Sequence, residues 1–119
     1  KPDAGQLIVS PADEDPIIAQ DAWADDIILA KGLSRFEEMM SNPVERVTSN
    51  WAGLRTFAPD RTLVIGRSPE NPEFFWIAGQ GGYGFQTAAA ASQLASELIL
   101  EHAIELDDCI CRSLSPNRF

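Results

Sequence analysis

The residues that invite a chemical reading are four glycines, Gly79, Gly81, Gly82 and Gly84, which follow the apolar run Phe74–Ala78 and precede an alanine-rich helical pattern. Glycine reaches backbone dihedrals closed to other residues and lets another group approach the main chain closely. A helix begun at such a cluster has free N–H groups in its first turn, aimed back into the glycines. A strand that enters a glycine turn and leaves as a helix can therefore present backbone donors to an electron-rich ligand. The same turn also joins strands to helices where no ligand binds, and spacing alone leaves both readings open. Gly79, Gly81 and Gly84 have G-x-G-x-x-G spacing, but no acidic residue in a strand context follows, because Glu97 and Glu101 fall inside the next helical pattern. No G-x-x-x-x-G-K-[ST] is present. The cluster is thus not expected to be the main phosphate-binding turn of a dinucleotide fold.

Other reactive side chains form no convincing set. Cys109 and Cys111 flank only Ile110, too close for a relaxed disulfide, and with the single His102 they make no metal site, so reduced thiols are expected. The acids of Ala12–Asp21 read as a solvated face, and Met39 and Met40 as core filler rather than ligands. No metal is expected. A formal net charge of -9 excludes nonspecific binding to a nucleic-acid backbone, which requires basic side chains. An apolar share of 45% over 119 residues suits one folded domain of ordinary size. No stretch has the length of a membrane span, and a cytoplasmic location is expected.

These residues need elements to position them. Gln6–Ser10 reads as a short strand ended by Pro11. Trp23–Met40 reads as a helix capped by Asp25 or Asp26, with Leu29, Leu33, Phe36 and Met40 on one buried stripe and Ser41-Asn42-Pro43 as its stop. Val44–Thr48 alternates as a half-exposed strand leading into Trp51–Phe57. The Pro59-Asp60-Arg61 turn then returns Leu63–Ile65 as the other arm of a hairpin. Arg67–Pro72 reads as a polar loop, and Phe74–Ala78 as a buried, parallel-type strand. The last helix is expected from Gly84 or Phe85 to Glu105, with Ala91, Leu94, Ala95, Leu98 and His102 on one stripe. Leu106–Phe119 reads as a loop with at most one short helical turn. The strands lack the covering elements that sheets require, and the small residues of Ala88–Ala95 lack a layer to press against. With a start at Lys1-Pro2-Asp3 and no Met, this leads to the expectation of a fragment, or of one subunit of a split enzyme.

The run W-A-G-L-R at Trp51–Arg55, then Pro59-Asp60, V-I-G at Val64–Gly66, and F-F-W-I-A-G-Q-G-G-Y-G at Phe74–Gly84 stand in a telling order. Together with the small-residue helix beyond, they resemble the C-terminal portion of the flavoprotein amine and amino-acid oxidases. That group contains glycine oxidase, sarcosine oxidase and D-amino-acid oxidase. The specific part of the resemblance covers residues 51 to about 101.

The resemblance implies an α/β fold class, here an α+β portion of a two-domain flavoprotein. Residues 1–72 would contribute to a mixed antiparallel substrate-domain sheet. Residues 73–105 would give the last strand and last helix of the FAD-binding domain, and residues 106–119 a tail. The cofactor implied is FAD, contacted by Gly79, Gln80, Gly81, Gly82, Tyr83, Gly84, Phe85 and Gln86. The helix start would face the pyrimidine end of the ring, where negative charge develops on reduction. Arg55, the arginine of G-L-R, would hold the substrate carboxylate through its planar fork, and Tyr83 would line the cavity beside it. These two stand as the catalytic candidates, with Trp51 and Trp76 as core. Hydride would pass from the substrate carbon to flavin N5, and the resulting imine would hydrolyse, with no side-chain nucleophile required.

The sequence departs from the family at three places. Ala58 stands where D-amino-acid oxidases carry a further arginine, Thr56 where they prefer proline, and Gln80 where glycine and sarcosine oxidases carry a histidine. A small amino acid or secondary amine is the expected substrate class. The remainder of the enzyme, with its N-terminal FAD-binding part, is the expected partner, and homo-oligomerisation is possible. The chain alone is expected to be inactive. The alternative is a noncatalytic binding or structural domain that retains the oxidase C-terminal fold.

Overall fold

The computed structural model describes residues 1–119 and contains three α-helices and two small antiparallel sheets. The chain divides into two compact units, Lys1–Leu54 and Arg55–Phe119.

The first unit opens with a hairpin of β1 (Pro2–Asp3) and β2 (Gln6–Leu7), in register Pro2↔Leu7 and Asp3↔Gln6. Its loop residues Ala4 and Gly5 both have positive φ, as a two-residue hairpin turn with the right twist requires. The strand expected over Gln6–Ser10 is therefore cut to two residues, because its only partner is the terminal segment and Pro11 follows closely. Helix α1 covers Asp26–Met39, and the Asp25 carboxylate accepts from the N–H groups of Ile27 and Ile28, both at 2.9 Å. That cap moves the start three residues beyond the expected Trp23. Leu29, Leu33 and Phe36 are half-buried as the spacing predicts, but Met40 lies beyond the helix and is exposed. Val44–Thr48 is not a strand. Its alternation meets no pairing partner. The Val44 N–H instead bonds the Glu37 carboxylate at 2.8 Å, and Thr48 Oγ1 bonds Gln6 Oε1 at 3.1 Å.

The second unit is built on strand β3 (Val64–Arg67), which pairs antiparallel with β4 (Phe75–Ala78) in register Val64↔Ala78 through Arg67↔Phe75. This corrects two expectations. Trp51–Phe57 is not the hairpin partner of Leu63–Ile65, and Phe74–Ala78 joins an antiparallel pair rather than a parallel one. Asn71 explains the pairing: its carbonyl accepts from the Phe74 N–H at 2.9 Å and its side chain from the Glu73 N–H at 3.1 Å, folding the intervening loop back on itself. Nor is β4 buried, since Trp76 and Ile77 are exposed.

Helix α2 (Gly84–Leu100) packs on β3, and the core is Ile65, Leu94 and Ala95 with Leu63, Phe75, Ala91 and Leu98 around it. The expected stripe is present at Ala91, Leu94, Ala95 and Leu98. The helix stops five residues short of Glu105, however, because Glu101 turns left-handed and the Glu97 carbonyl receives the His102 N–H at 2.9 Å. His102 is consequently off the stripe and exposed. The tail is more ordered than expected, with helix α3 over Asp108–Leu114 and a 3-10 turn over Pro116–Arg118. No helix is long and apolar enough to cross a membrane.

Candidate functional site

The contacts of the glycine turn with Arg55, Thr56, Phe57, Ala58 and Thr62 lie within the second unit. The turn follows β4 and precedes α2, so its two ends are fixed by the sheet and by the helix. Gly81 donates its N–H to the Thr56 carbonyl at 2.9 Å, which ties the turn to the segment beginning at Arg55. At Gly81 φ is +51°, and a Cβ there would fall 2.5 Å from Phe57 Cε1. Conformation and space both exclude a side chain. A Cβ at Gly82 would lie 2.9 Å from Arg55 Nη1, so the guanidinium rests against the bare backbone of the turn. Gly79 is buried on the other side, with Ala58 N and Thr62 O each 3.4 Å from where its Cβ would stand.

Phe57 joins the cationic groups to the turn. The Arg55 guanidinium carbon lies 5.4 Å from its ring centroid and that of Arg61 lies 5.6 Å away, both within cation–π range. Arg55 is half-buried, as are Phe57 and Gln80. Gly81 and Gly84 are likewise half-buried, whereas Gly82, Tyr83, Phe85 and Gln86 are exposed, Phe85 completely at 100%.

Helix α2 begins without a side-chain cap. The Tyr83 N–H bonds the Gln80 carbonyl at 2.9 Å, and the Tyr83 carbonyl receives both the N–H and the hydroxyl of Thr87, at 3.0 and 2.8 Å. The first-turn N–H groups of Gly84, Phe85 and Gln86 precede the first intrahelical donor, the Thr87 N–H, so they have no acceptor within the helix and point along its axis toward the turn. The helix dipole adds positive potential there. The arrangement can therefore donate hydrogen bonds to an electron-rich edge, beside a flat aromatic surface and within reach of a guanidinium turn.

A concavity of about 380 Å³ lies elsewhere in this unit, lined by Ile65, Phe75, Leu98, Cys111 and Pro116 among others. It touches none of the predicted site residues and is a gap over the core between β3, α2 and the tail. No cluster of three or more His, Cys, Asp or Glu residues has metal-binding geometry.

The structure thus brings Arg55 together with Gly81 and Gly82, and places Tyr83, Phe85 and Gln86 at the open start of α2. Phe57 was not among the predicted site residues, although its place two residues after Arg55 is the signal that could have found it. Also unforeseen is the grip of the tail on the Asp60 turn. Arg118 Nε bonds Asp60 Oδ2 at 2.7 Å and Nη2 bonds Oδ1 at 3.0 Å, a bidentate pair. This pairing holds the Asp60 carboxyl well below its ordinary value, at about 2, with the Thr62 N–H contributing and partial desolvation opposing. Burial pushes the Cys111 thiol up, with the Asp108 carboxylate adding to the effect.

A family model described as FAD dependent oxidoreductase, DAO, matches residues 1–98. The chain belongs to this family. A D-amino acid dehydrogenase of Cereibacter sphaeroides (strain ATCC 17029 / ATH 2.4.9) is 36% identical over 74 residues, which cover 59% of this chain and 16% of that protein. The chain thus matches about a sixth of the length of that curated relative. For a DAO-family chain, the glycine turn and the uncapped helix start are the features whose donor chemistry suits a flavin.

Proposed function

We propose that this chain supplies the C-terminal part of an FAD-dependent oxidoreductase that oxidises the C–N bond of a small amino acid or secondary amine. The observation that carries the reading is the packing of Arg55 and Phe57 onto a glycine turn ahead of an uncapped helix, in a chain of the FAD-dependent family. Likeness to a D-amino acid dehydrogenase favours an amino acid over a simple amine. Residues 1–72 are assigned to the substrate-binding domain, 73–105 to the last strand and helix of the FAD-binding domain, and 106–119 to a tail. The acidic balance of the chain is compatible with the cytoplasm, which we take as its location.

Gly79, Gln80, Gly81, Gly82, Tyr83, Gly84, Phe85 and Gln86 would hold the pyrimidine end of the cofactor. They suit it because the first-turn donors of α2 have no side-chain cap competing for them. The adenosine and pyrophosphate end is assigned to the remainder of the enzyme, since no acidic residue in strand context follows this glycine turn. When bound, flavin supplies the two-electron oxidation of the substrate.

The chain's own residues bind and orient. Arg55 offers two parallel N–H donors to the substrate carboxylate, and the Phe57 ring and the Gly82 backbone restrict the swing of its fork. Holding the carboxylate fixes the α-carbon, and a fixed reacting carbon is worth several orders of magnitude in rate. Tyr83 and Phe85 add apolar surface that excludes water from the reacting face.

The test is the full-length protein that carries this chain. It should purify with a flavin absorption spectrum that bleaches anaerobically on addition of an amino acid such as a D-amino acid, glycine or sarcosine. A colourless, correctly folded full-length protein would overturn the reading and leave a binding or structural domain.

A further inference from the structure

We infer that Arg118 is a positioning residue for the cofactor-facing glycine turn, acting through the Asp60–Thr62 turn; the inference rests on the flavoenzyme reading above. Arg118 stands 58 positions from Asp60 in the chain, yet the two form a fork-to-carboxylate pair at 2.7 and 3.0 Å. The same guanidinium also donates to the Thr62 carbonyl at 2.9 Å and, through Nη1, to the Ser115 carbonyl at 3.0 Å. All three of its nitrogens are engaged, and the side chain is only 13% exposed. An exposed single-contact ion pair contributes little, but a bidentate, multiply bonded arginine fixes geometry.

What it fixes is the wall of the site. The Asp60 carboxylate also accepts the Thr62 N–H at 3.1 Å, and the Arg61 N–H bonds the Ala58 carbonyl at 2.8 Å, closing a tight turn. Arg61 has φ +60°, a left-handed conformation that costs a non-glycine residue energy and that surrounding contacts must hold. The inner surface of this turn is where Gly79 sits: Ala58 N and Thr62 O are its nearest neighbours. Thr62 O is thus bonded by Arg118 on one side and faces Gly79 on the other. The tail has a second anchor, because the Pro116 ring packs on Gly66 of β3 so closely that a Cβ there would lie 2.9 Å from Pro116 Cδ. With Pro116 fixed on the sheet and Arg118 on the turn, the tail sets the distance between β3 and the wall against Gly79. Gly79 in turn leads directly into the donors at the start of α2. Donors aimed at developing charge act only when held to a fraction of an ångström.

The test uses the full-length holoenzyme with Arg118→Lys, which keeps the charge and loses the fork, and with Asp60→Asn, which keeps shape and one acceptor. Flavin content, the visible flavin spectrum, the rate of anaerobic flavin reduction, KM and Tm are read for each. Both variants should retain flavin, shift its visible band and lower the reduction rate about tenfold, with KM little changed. The double variant should be no worse than either single one, because the two groups act as one unit. A lowered Tm with unchanged spectrum and reduction rate would mark a purely structural clamp and overturn the inference, as would an effect confined to KM. If Arg118→Lys does not fold, Asp60→Asn decides alone; failure of both to fold assigns the clamp to stability and also overturns it. A wild-type protein without flavin removes the reading on which the inference rests, whereas a flavin-replete wild type with unmoved variants removes only the inference.

Discussion

A guanidinium laid against a glycine backbone and an aromatic ring has little freedom left to swing. Arg55 is held in this way by Gly82 and Phe57, and the proposed function gives its fork a substrate carboxylate to bind. In the complete enzyme, Arg55→Leu should leave FAD content near normal and lower kcat/KM by at least about tenfold, since truncating one partner of a desolvated charge pair costs roughly 2–5 kcal/mol. Arg55→Lys should recover only part of the loss, because lysine keeps the charge without the planar fork. If Arg55 serves only structure, the Leu variant loses thermal stability while its surviving fraction keeps kcat/KM, and steady-state kinetics beside a melting curve separates the two. The sequence singled out Arg55 through its motif and its chemically specific head group, and the structure lays that residue against Gly82 of the glycine turn. Phe57 offered only its place two residues after Arg55, a weak signal, because its packing on Gly81 is a contact between residues 24 positions apart that no local pattern encodes. Arg118 was hidden for a different reason: its partner is 58 residues away, and no local pattern encodes that pairing.

Helix α2 was the most legible element, since a four-residue stripe of small and branched side chains has only one way to meet a sheet. Leu94, 1% exposed, is its centre, and Leu94→Ala should destabilise the unit by about 2–5 kcal/mol, read from chemical denaturation. The end of the helix was less legible. The periodic pattern runs on, but Glu97 draws the chain out of the helix: its carbonyl takes the His102 N–H, and its carboxylate takes the Gln93 amide at 2.9 Å and the Glu105 N–H at 3.3 Å. The hairpin partner was misread because the Pro59–Arg61 turn places Trp51–Phe57 just before Leu63–Ile65, whereas the Asn71 turn brings Phe75–Ala78 onto that strand instead. The Pro59–Arg61 turn was foreseen, and its link to the tail gives it a pH signature. The folded Asp60 carboxyl titrates near 2 against an ordinary value of 3.8. A depressed carboxyl contributes stability that is present above its unfolded value and is lost as pH falls through the folded one. The difference in Tm between the wild type and Asp60→Asn should therefore be constant above pH 4 or so and shrink between 3.8 and about 2. A difference that does not change across that window would mean that Arg118 does not hold the carboxylate in solution.

At the scale of the whole molecule, the chain buries few large side chains and leaves many on its surface. Only Ile65, Leu94 and Ala95 form the buried hydrophobic core, while Trp23 is 87% exposed, Trp51 68% and Phe85 100%. Exposed apolar residues scattered singly are ordinary, but large aromatics this open, together with the uncovered Ala88–Ala90 of α2, are the surface expected where another layer packs. In the proposed enzyme that layer is the remainder of the two domains, which also carries the adenosine and pyrophosphate site. The division of labour makes two measurements decisive together. Titrating the isolated 119-residue chain with FAD should leave flavin fluorescence nearly unchanged, because the proposed function gives this chain only the pyrimidine end, and its glycine turn is followed by no acidic residue in strand context. In the same sample, acrylamide should quench the emission of Trp23 and Trp51 almost as it does free tryptophan, whereas in the full-length holoenzyme both should be protected. Saturable quenching of flavin by the isolated chain at micromolar concentration would mean that it holds more of the cofactor than the glycine turn can account for. Equal acrylamide access in the two proteins would mean that the exposed aromatics are a solvent-facing surface and that the covering layer lies elsewhere.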